Sequence, residues 1–344
     1  IGFKPVNKLK KTKHTKTLLS LNSSNKSEDV KDFLNYIKRN TDKSEFVIEP
    51  KFDGFSIELI YEKGKFKKAI TRGNGTTGED ISDNIRTIKT LNMTLQNSLK
   101  NLSVRGEVFI GKDEFLKINK KRTETGKQTF ANPRNAAAGM MRQLDSKKLT
   151  NIPFEIKVYE VLKSEKKIKT HKEALKELKK TGLNTNFETK KTKSFKEIKK
   201  FFEHLSKKRD KLNYEIDGIV IKLNDLEKRE KIGTRQRSPR WAYAWKFKPK
   251  KQVTKIKDIT VQVGRTGILT PVALLEPADI GGVTISRATL HNKEYVEEND
   301  FRSGDSVKII RAGDVIPEVK ERVKKKTKKR GKKFTMPKKC PSCN

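Results

Sequence analysis

The hexapeptide Glu49-Pro50-Lys51-Phe52-Asp53-Gly54 gathers three ionisable groups at the end of a stretch, from Phe46 to Lys51, that reads as a β-strand. Side chains alternate across a strand, which places Glu49, Lys51 and Asp53 on one face and Phe52 on the other. A lysine attacks phosphorus only as the free amine, and neighbouring cations or desolvation supply that form near neutral pH. Asp53 would fix the ammonium and later help to hold a metal. Alone, a KxDG pattern is short enough to recur by chance and describes an ordinary ion pair on an edge strand.

The pattern has company. Thr71-Arg72-Gly73-Asn74-Gly75-Thr76-Thr77-Gly78-Glu79-Asp80 forms a glycine-rich turn whose backbone can approach a ligand, with Arg72 available to pair with it. In Val104-Arg105-Gly106-Glu107-Val108 two charges sit inside an apolar strand, where they need partners; a structural salt bridge and a ribose or metal contact explain this equally well. Asn132-Pro133-Arg134-Asn135 opens a helix with proline at a permitted early position and three alanines behind it. Glu215 to Lys222 is a buried-looking strand with acids at one end and Lys222 at the other, and Trp241 to Lys248 sets Lys246 among aromatics. Either lysine, taken singly, reads as one that snorkels from a core strand.

The elements that position these groups follow from periodicity. Residues 1–24 read as an irregular basic connector, and Ser27 as the N-cap of a helix carrying Val30, Phe33, Leu34 and Ile37 on one face. Strands are predicted over 46–51, 55–61, 65–71, 103–110, 154–162 and 215–223, and helices over 112–121, 133–144, 171–181, 194–208 and 225–232. No regular βαβ repeat and no dinucleotide-type glycine turn appear, so the fold class is α+β with antiparallel sheets, and a Rossmann domain is disfavoured. After the lysine-rich stretch 246–257, short β-like pieces at 258–264, 268–275, 283–287 and 306–311 suggest a small barrel such as an OB-fold. The division expected is a connector (1–24), an α+β domain (25–250), a barrel (251–323) and a basic linker ending in Cys340 and Cys343 (324–344).

With 81 Lys plus Arg against 42 Asp plus Glu, the net charge of +39 creates a field that draws polyanions. Nucleic acid is the natural partner, although lysine-rich coding accounts for part of the excess. No apolar run is long enough to span a membrane, and no signal peptide is recognisable, but a chain starting at Ile1 leaves open an upstream segment. Two cysteines spaced CxxC argue for a reducing compartment and against a disulfide framework.

In order and spacing the motifs resemble the covalent nucleotidyltransferases, whose signature runs from a KxDG nucleophile through an RGE-type strand and a DGIVIK strand to a KxK-type strand. Within that superfamily the chain is most similar to bacterial NAD-dependent DNA ligases. Leu19-Ser20-Leu21, Arg72 to Asp80, Phe130 to Gly139, Val263 to Gly267, Ala288 to Asn292 and Arg311 to Pro317 carry that likeness. The resemblance implies a nucleotidyltransferase domain followed by an OB-fold, with Lys51 as the residue that takes AMP. It implies that Glu49 reads the adenine, and that Ser20, Leu21, Arg72, Glu107, Lys222 and Lys246 touch the AMP half of NAD. Asp53 and Asp217 are implied near Mg2+ or Mn2+. For nicked double-stranded DNA, Arg134, Arg265, Arg287, Arg302 and Arg311 are the candidate contacts, and His291 is expected to be structural.

The resemblance also implies what lies outside the chain: a small N-terminal domain for the nicotinamide mononucleotide half, and helix-hairpin-helix and BRCT modules. Cys340 and Cys343 are half of a four-cysteine Zn2+ site, so zinc is expected only in the full-length protein. Lys248 stands where the family usually has proline. A monomer in the bacterial cytoplasm, associated with the nucleoid, is the expectation, and a chain without the N-terminal domain should react poorly with NAD. The competing readings are an ATP-dependent ligase or capping enzyme, and a non-catalytic nucleic-acid-binding module on the same fold.

Overall fold

The computed structural model describes residues 9–96, 99–249, 251–264, 266–280, 284–312, 316–323, 330–337, 339–341 and 343. They fall into two units, Ile1–Phe247 and Lys248–Asn344.

Two sheets in the first unit carry the charged motifs. In one, strand Phe46–Phe52 lies between Ile216–Leu223 and Lys190–Thr192, and Ala242–Lys246 pairs with the far side of Ile216–Leu223. The other runs in the order Lys65–Thr71, Phe55–Glu62, Leu102–Ile110, Phe154–Ser164. All these pairings are antiparallel, as the sequence predicts; the three-residue edge strand Asn22–Ser24, parallel to Ala242–Lys246, is the exception. Ile216–Leu223 is buried at every position, because helix Phe195–Lys208 covers one face with Ile198, Phe201 and Leu205 while the other face borders the cavity described below.

Several expectations need correction. The connector is not irregular: Lys11–Lys13 pairs with Thr77–Glu79, and Leu18 is buried. Ser27 is the first residue of helix Ser27–Asn40, whose N-cap is Lys26 without a side-chain hydrogen bond; the Ser27 hydroxyl turns to the Glu28 carboxylate instead, at 2.7 Å. The helix expected to reach 144 ends at Met141, where Arg142 leaves helical geometry and its guanidinium forks onto Glu79 at 2.6 and 2.8 Å. Its start is as expected, with the Asn132 side chain accepting from the Asn135 N–H at 2.7 Å.

The second unit is a closed barrel in the order Lys251–Val263, Leu269–Asp279, Thr284–Thr289, Ile316–Arg322, Ser306–Ala312. Its first strand begins at Lys251, not 258: Thr254 and Ile256 point inward while Lys255 and Lys257 point out, so an alternation was present but dressed in lysine. Strand Ile316–Arg322 and helix Lys293–Asn299, capped by Asn292, were not foreseen. Among the described residues no helix is long and apolar enough to cross a membrane.

Candidate active site

A cavity of about 1130 Å³ opens in the first unit. Ser20, Leu21, Glu49, Lys51, Arg72, Glu107, Lys222 and Lys246 all border it, as does Arg134. Six separate segments therefore deliver charge to one space, and backbone register explains how. Gly218 is opposite Lys51 on one side and opposite Lys246 on the other, so the central strand holds both lysines at one level. The register slips between Ile216 and Gly218, and this bulge aims Asp217 at them. Lys51 Nζ donates to both Asp217 oxygens at 2.9 and 3.0 Å, while Lys246 Nζ sits 3.3 Å from Asp217 Oδ2.

Asp53 does not fix the Lys51 ammonium. The strand stops at Phe52, the Asp53 N–H donates to the Glu215 carbonyl at 3.0 Å, and its carboxylate accepts from Arg134 Nη1 at 2.7 Å. Each of the three charged groups of the hexapeptide thus finds its partner in a distant segment. Asp53 lifts the Arg134 guanidinium against the opposing effect of burial.

Glu49 pairs with Lys222 through one oxygen and with His171 Nε2, at 3.1 Å, through the other. Burial alone would raise the Glu49 carboxyl, but Lys222 and His171 together hold it below its usual range. His171 itself is driven down to about 4 by burial and by Lys222, against the pull of Glu49. On the far wall, the Tyr159 hydroxyl donates to Glu107 Oε2 at 3.0 Å, and Lys222 Nζ lies 5.0 Å from the Tyr159 ring centre. Desolvation raises the Glu107 carboxyl, with Arg134 and Arg105 opposing it.

The connector closes the rim. Arg72 Nη2 donates to Ser20 Oγ at 2.6 Å and Arg105 Nη1 to the Leu19 carbonyl at 3.2 Å. Beneath them His14 Nδ1 lies 2.6 Å from buried Glu58, which also accepts from Thr15 and Ser103. Arg72 Nε is buried and lacks a hydrogen-bond partner, so the rim carries one unpaired donor beside the Ser20 contact. Sequence reasoning missed His171, Tyr159 and Arg142. The signal for Tyr159 was slight, an aromatic in mid-strand among aliphatic and charged residues; for His171 there was none.

Among the described residues no group of three His, Cys, Asp or Glu side chains is placed to hold a metal alone. Asp53 and Asp217, the acids expected near a metal, are bonded to cationic side chains, Asp53 to Arg134 and Asp217 to Lys51 and Lys246, and neither borders the cavity. A hard cation, which needs only one or two protein carboxylates, would have to replace those lysine and arginine contacts. Cys340 is half-buried and Cys343 exposed; two thiols do not make a four-coordinate zinc site. Of the arginines expected to touch DNA, Arg287 is exposed on Thr284–Thr289, whereas Arg302 is committed to Asp300 through two bonds at 2.8 and 3.1 Å. Arg311 belongs to strand Ser306–Ala312, but its side chain, like all of Arg265, lies outside the described residues. His291 Nε2 sits 3.0 Å from Glu318 Oε2, with a left-handed backbone (φ 62°), as a turn residue.

Comparison with known proteins agrees with this arrangement. The family model for the NAD-dependent DNA ligase adenylation domain matches residues 6–250, and that for the NAD-dependent DNA ligase OB-fold domain matches residues 253–331. A DNA ligase of Acetivibrio thermocellus is 43% identical over 345 residues, covering 100% of this chain and 52% of that protein. DNA ligases of Thermoanaerobacter sp. (44%, 52% of its length) and Clostridioides difficile (42%, 51% of its length) also match along the whole chain. The chain spans about half the length of the curated relatives it matches. With the matched families covering both units and the charged residues meeting in one cavity, the chain belongs to the NAD-dependent DNA ligase family.

Proposed function

We propose that this chain supplies the nucleotide-transfer and nick-binding parts of an enzyme that seals nicked duplex DNA at the expense of NAD. The observation that carries the reading is the Lys51 amine on the cavity wall, bonded to an aspartate that a second lysine also grips. Lys51 Nζ attacks the α-phosphate of the AMP half; a phosphorus–nitrogen bond forms and the bond to nicotinamide mononucleotide breaks. Asp217, already accepting from Nζ, is placed to receive the proton. Lys246 and Lys222 face the charge that develops on phosphate oxygens and base. Glu49 reads the adenine, Ser20, Leu21, Arg72 and Glu107 line the nucleotide, and Arg134 faces the DNA end.

AMP then passes to the DNA 5′-phosphate, returning the proton to Lys51, and the 3′-hydroxyl displaces AMP to form the phosphodiester. A bound Mg2+ or Mn2+, which Asp53 and Asp217 would hold, supplies charge neutralisation at the phosphates. The barrel, with Arg287 and, on the family pattern, Arg265 and Arg311, contacts the duplex backbone. We read the protein as a monomeric cytoplasmic enzyme of the nucleoid, with zinc bound only when further cysteines join Cys340 and Cys343.

The test bypasses NAD. Mixed in excess with a nicked duplex that already bears 5′-AMP, the chain is expected to join the strands in a single turnover. A nick left open by correctly folded protein would refute the assignment.

A further inference from the structure

Buried behind the cavity, His171 borders no part of it, yet its ring contacts the one acid that the proposed function assigns to the base. Resting on that reading, we propose that His171 is a positioning residue for nucleobase selection: its Nε2–H holds Glu49 in one orientation as an acceptor-only carboxylate, which favours adenine over 6-oxopurines.

Three observations carry this. The first is the division of labour on Glu49, where Lys222 takes one oxygen and His171 the other, at 3.1 Å, with all three side chains almost wholly buried. Each oxygen keeps one lone pair for a ligand. Second, His171 is itself fixed. Its N–H donates to the Asn224 carbonyl at 2.7 Å, the Lys172 N–H donates to Asn224 Oδ1 at 3.0 Å, and Thr170 caps the helix His171–Lys180. Asn224 directly follows the strand that carries Lys222, so the helix start and that lysine are tied to one stretch of backbone. Third, the ring is neutral at neutral pH, pushed to about 4 by burial and Lys222, and a neutral imidazole facing a carboxylate must carry its proton on the nearer nitrogen.

The chemistry of the bases gives the consequence. Adenine offers a donor at its 6-amino group and an acceptor at N1, matching a fixed carboxylate beside a lysine ammonium. Hypoxanthine offers an acceptor at O6 and a donor at N1, which mismatches both groups when the fixed carboxylate faces position 6 and the ammonium faces N1. A Glu49 free to rotate or to take up a proton would relax that distinction. Unpaired buried polar groups are the strongest source of discrimination available to a binding site.

The experiment is calorimetric binding of AMP and of IMP to the 344-residue chain and to His171→Leu, His171→Gln and Glu49→Gln. Leucine keeps volume and removes the donor, and glutamine keeps a donor. His171→Leu should weaken AMP by about tenfold while IMP changes less, narrowing the AMP:IMP ratio, and His171→Gln should restore the ratio. An unchanged ratio in the leucine variant, or equal loss of both nucleotides without rescue by glutamine, overturns the proposal. If the leucine variant fails to fold, loss of selectivity in the glutamine variant overturns it. Glu49→Gln separates the two levels: an unaltered ratio there removes the assignment of Glu49 to the base, whereas a collapsed ratio there beside an intact one in His171→Leu removes only the role of His171.

Discussion

Replacing Gly218 by alanine should slow strand joining at a 5′-adenylated nick without unfolding the protein. A Cβ at this position would stand 2.2 Å from the Trp245 carbonyl oxygen, 2.8 Å from the Lys246 Cα and 2.9 Å from the Trp245 carbonyl carbon. These are backbone atoms of a paired strand and cannot swing aside as a side chain does. Restoring ordinary contact requires strand Ala242–Lys246 to retreat by about 1 Å, the scale on which misplacement of a reacting group costs about 100-fold in rate. Lys246 is opposite Gly218, so the retreat pulls its ammonium from Asp217, 3.3 Å away in the structure. The accompanying overpacking should cost about 1–3 kcal/mol and lower the melting temperature by several degrees. The assay is single-turnover sealing of the 5′-adenylated nick, read beside a thermal melt. Gly126→Ala, where a Cβ meets nothing within 4 Å but the left-handed backbone (φ 66°) strains an alanine, controls for lost stability without movement of Lys246: it should lower the melting temperature and leave the rate unchanged. A Gly218→Ala protein that seals at the wild-type rate would refute the claim that close strand approach sets the position of Lys246.

Four further outcomes follow from the same geometry. Lys222→Met leaves buried Glu49 without its cation and should destabilise the first unit by about 3–5 kcal/mol, seen as an early thermal transition; an unshifted transition would contradict the buried pairing. Because the His171 pKa is depressed from 6.5 to about 4, the unfolded chain takes up a proton that the folded chain refuses; stability should fall as pH drops through that window, and His171→Gln should flatten the fall in denaturant titrations. Glu58 has its carboxyl lowered, burial being outweighed by bonds from His14, Ser103 and Thr15, so its contribution is present above its unfolded value and lost as pH falls through the folded one. Glu58→Gln should therefore melt lower than wild type at neutral pH, with the gap closing in acid; a constant gap would count against the linkage. Arg287→Ala should weaken duplex binding and reduce the slope of log affinity against log salt by about 1, and an unchanged slope would remove Arg287 from the interface.

Much of the site was written in local patterns. The apolar start Phe46-Val47-Ile48 and the apolar run Ile219-Val220-Ile221 announced their strands, and Asn132-Pro133 announced a helix start. The pairing of the charges was not legible, because it depends on non-local register: the slip between Ile216 and Gly218 decides that Asp217 meets Lys51, and the strand end at Phe52 decides that Asp53 meets Arg134. His171 is 122 residues from Glu49 in sequence, and nothing in a lysine-rich helix start marks it. In the barrel, lysines at outward positions concealed the strand beginning at Lys251. The three-residue pairings of the connector were too short for any periodicity to show.

Everything rests on the nucleophile, and it can be observed directly. The chain is incubated for hours with NAD and Mg2+, digested, and mapped by mass spectrometry beside Lys51→Ala. AMP is expected on the peptide containing Lys51, through an acid-labile bond, and none in the variant. AMP on any other lysine, or a Lys51→Ala protein that still seals an unadenylated nick from NAD, would contradict that assignment.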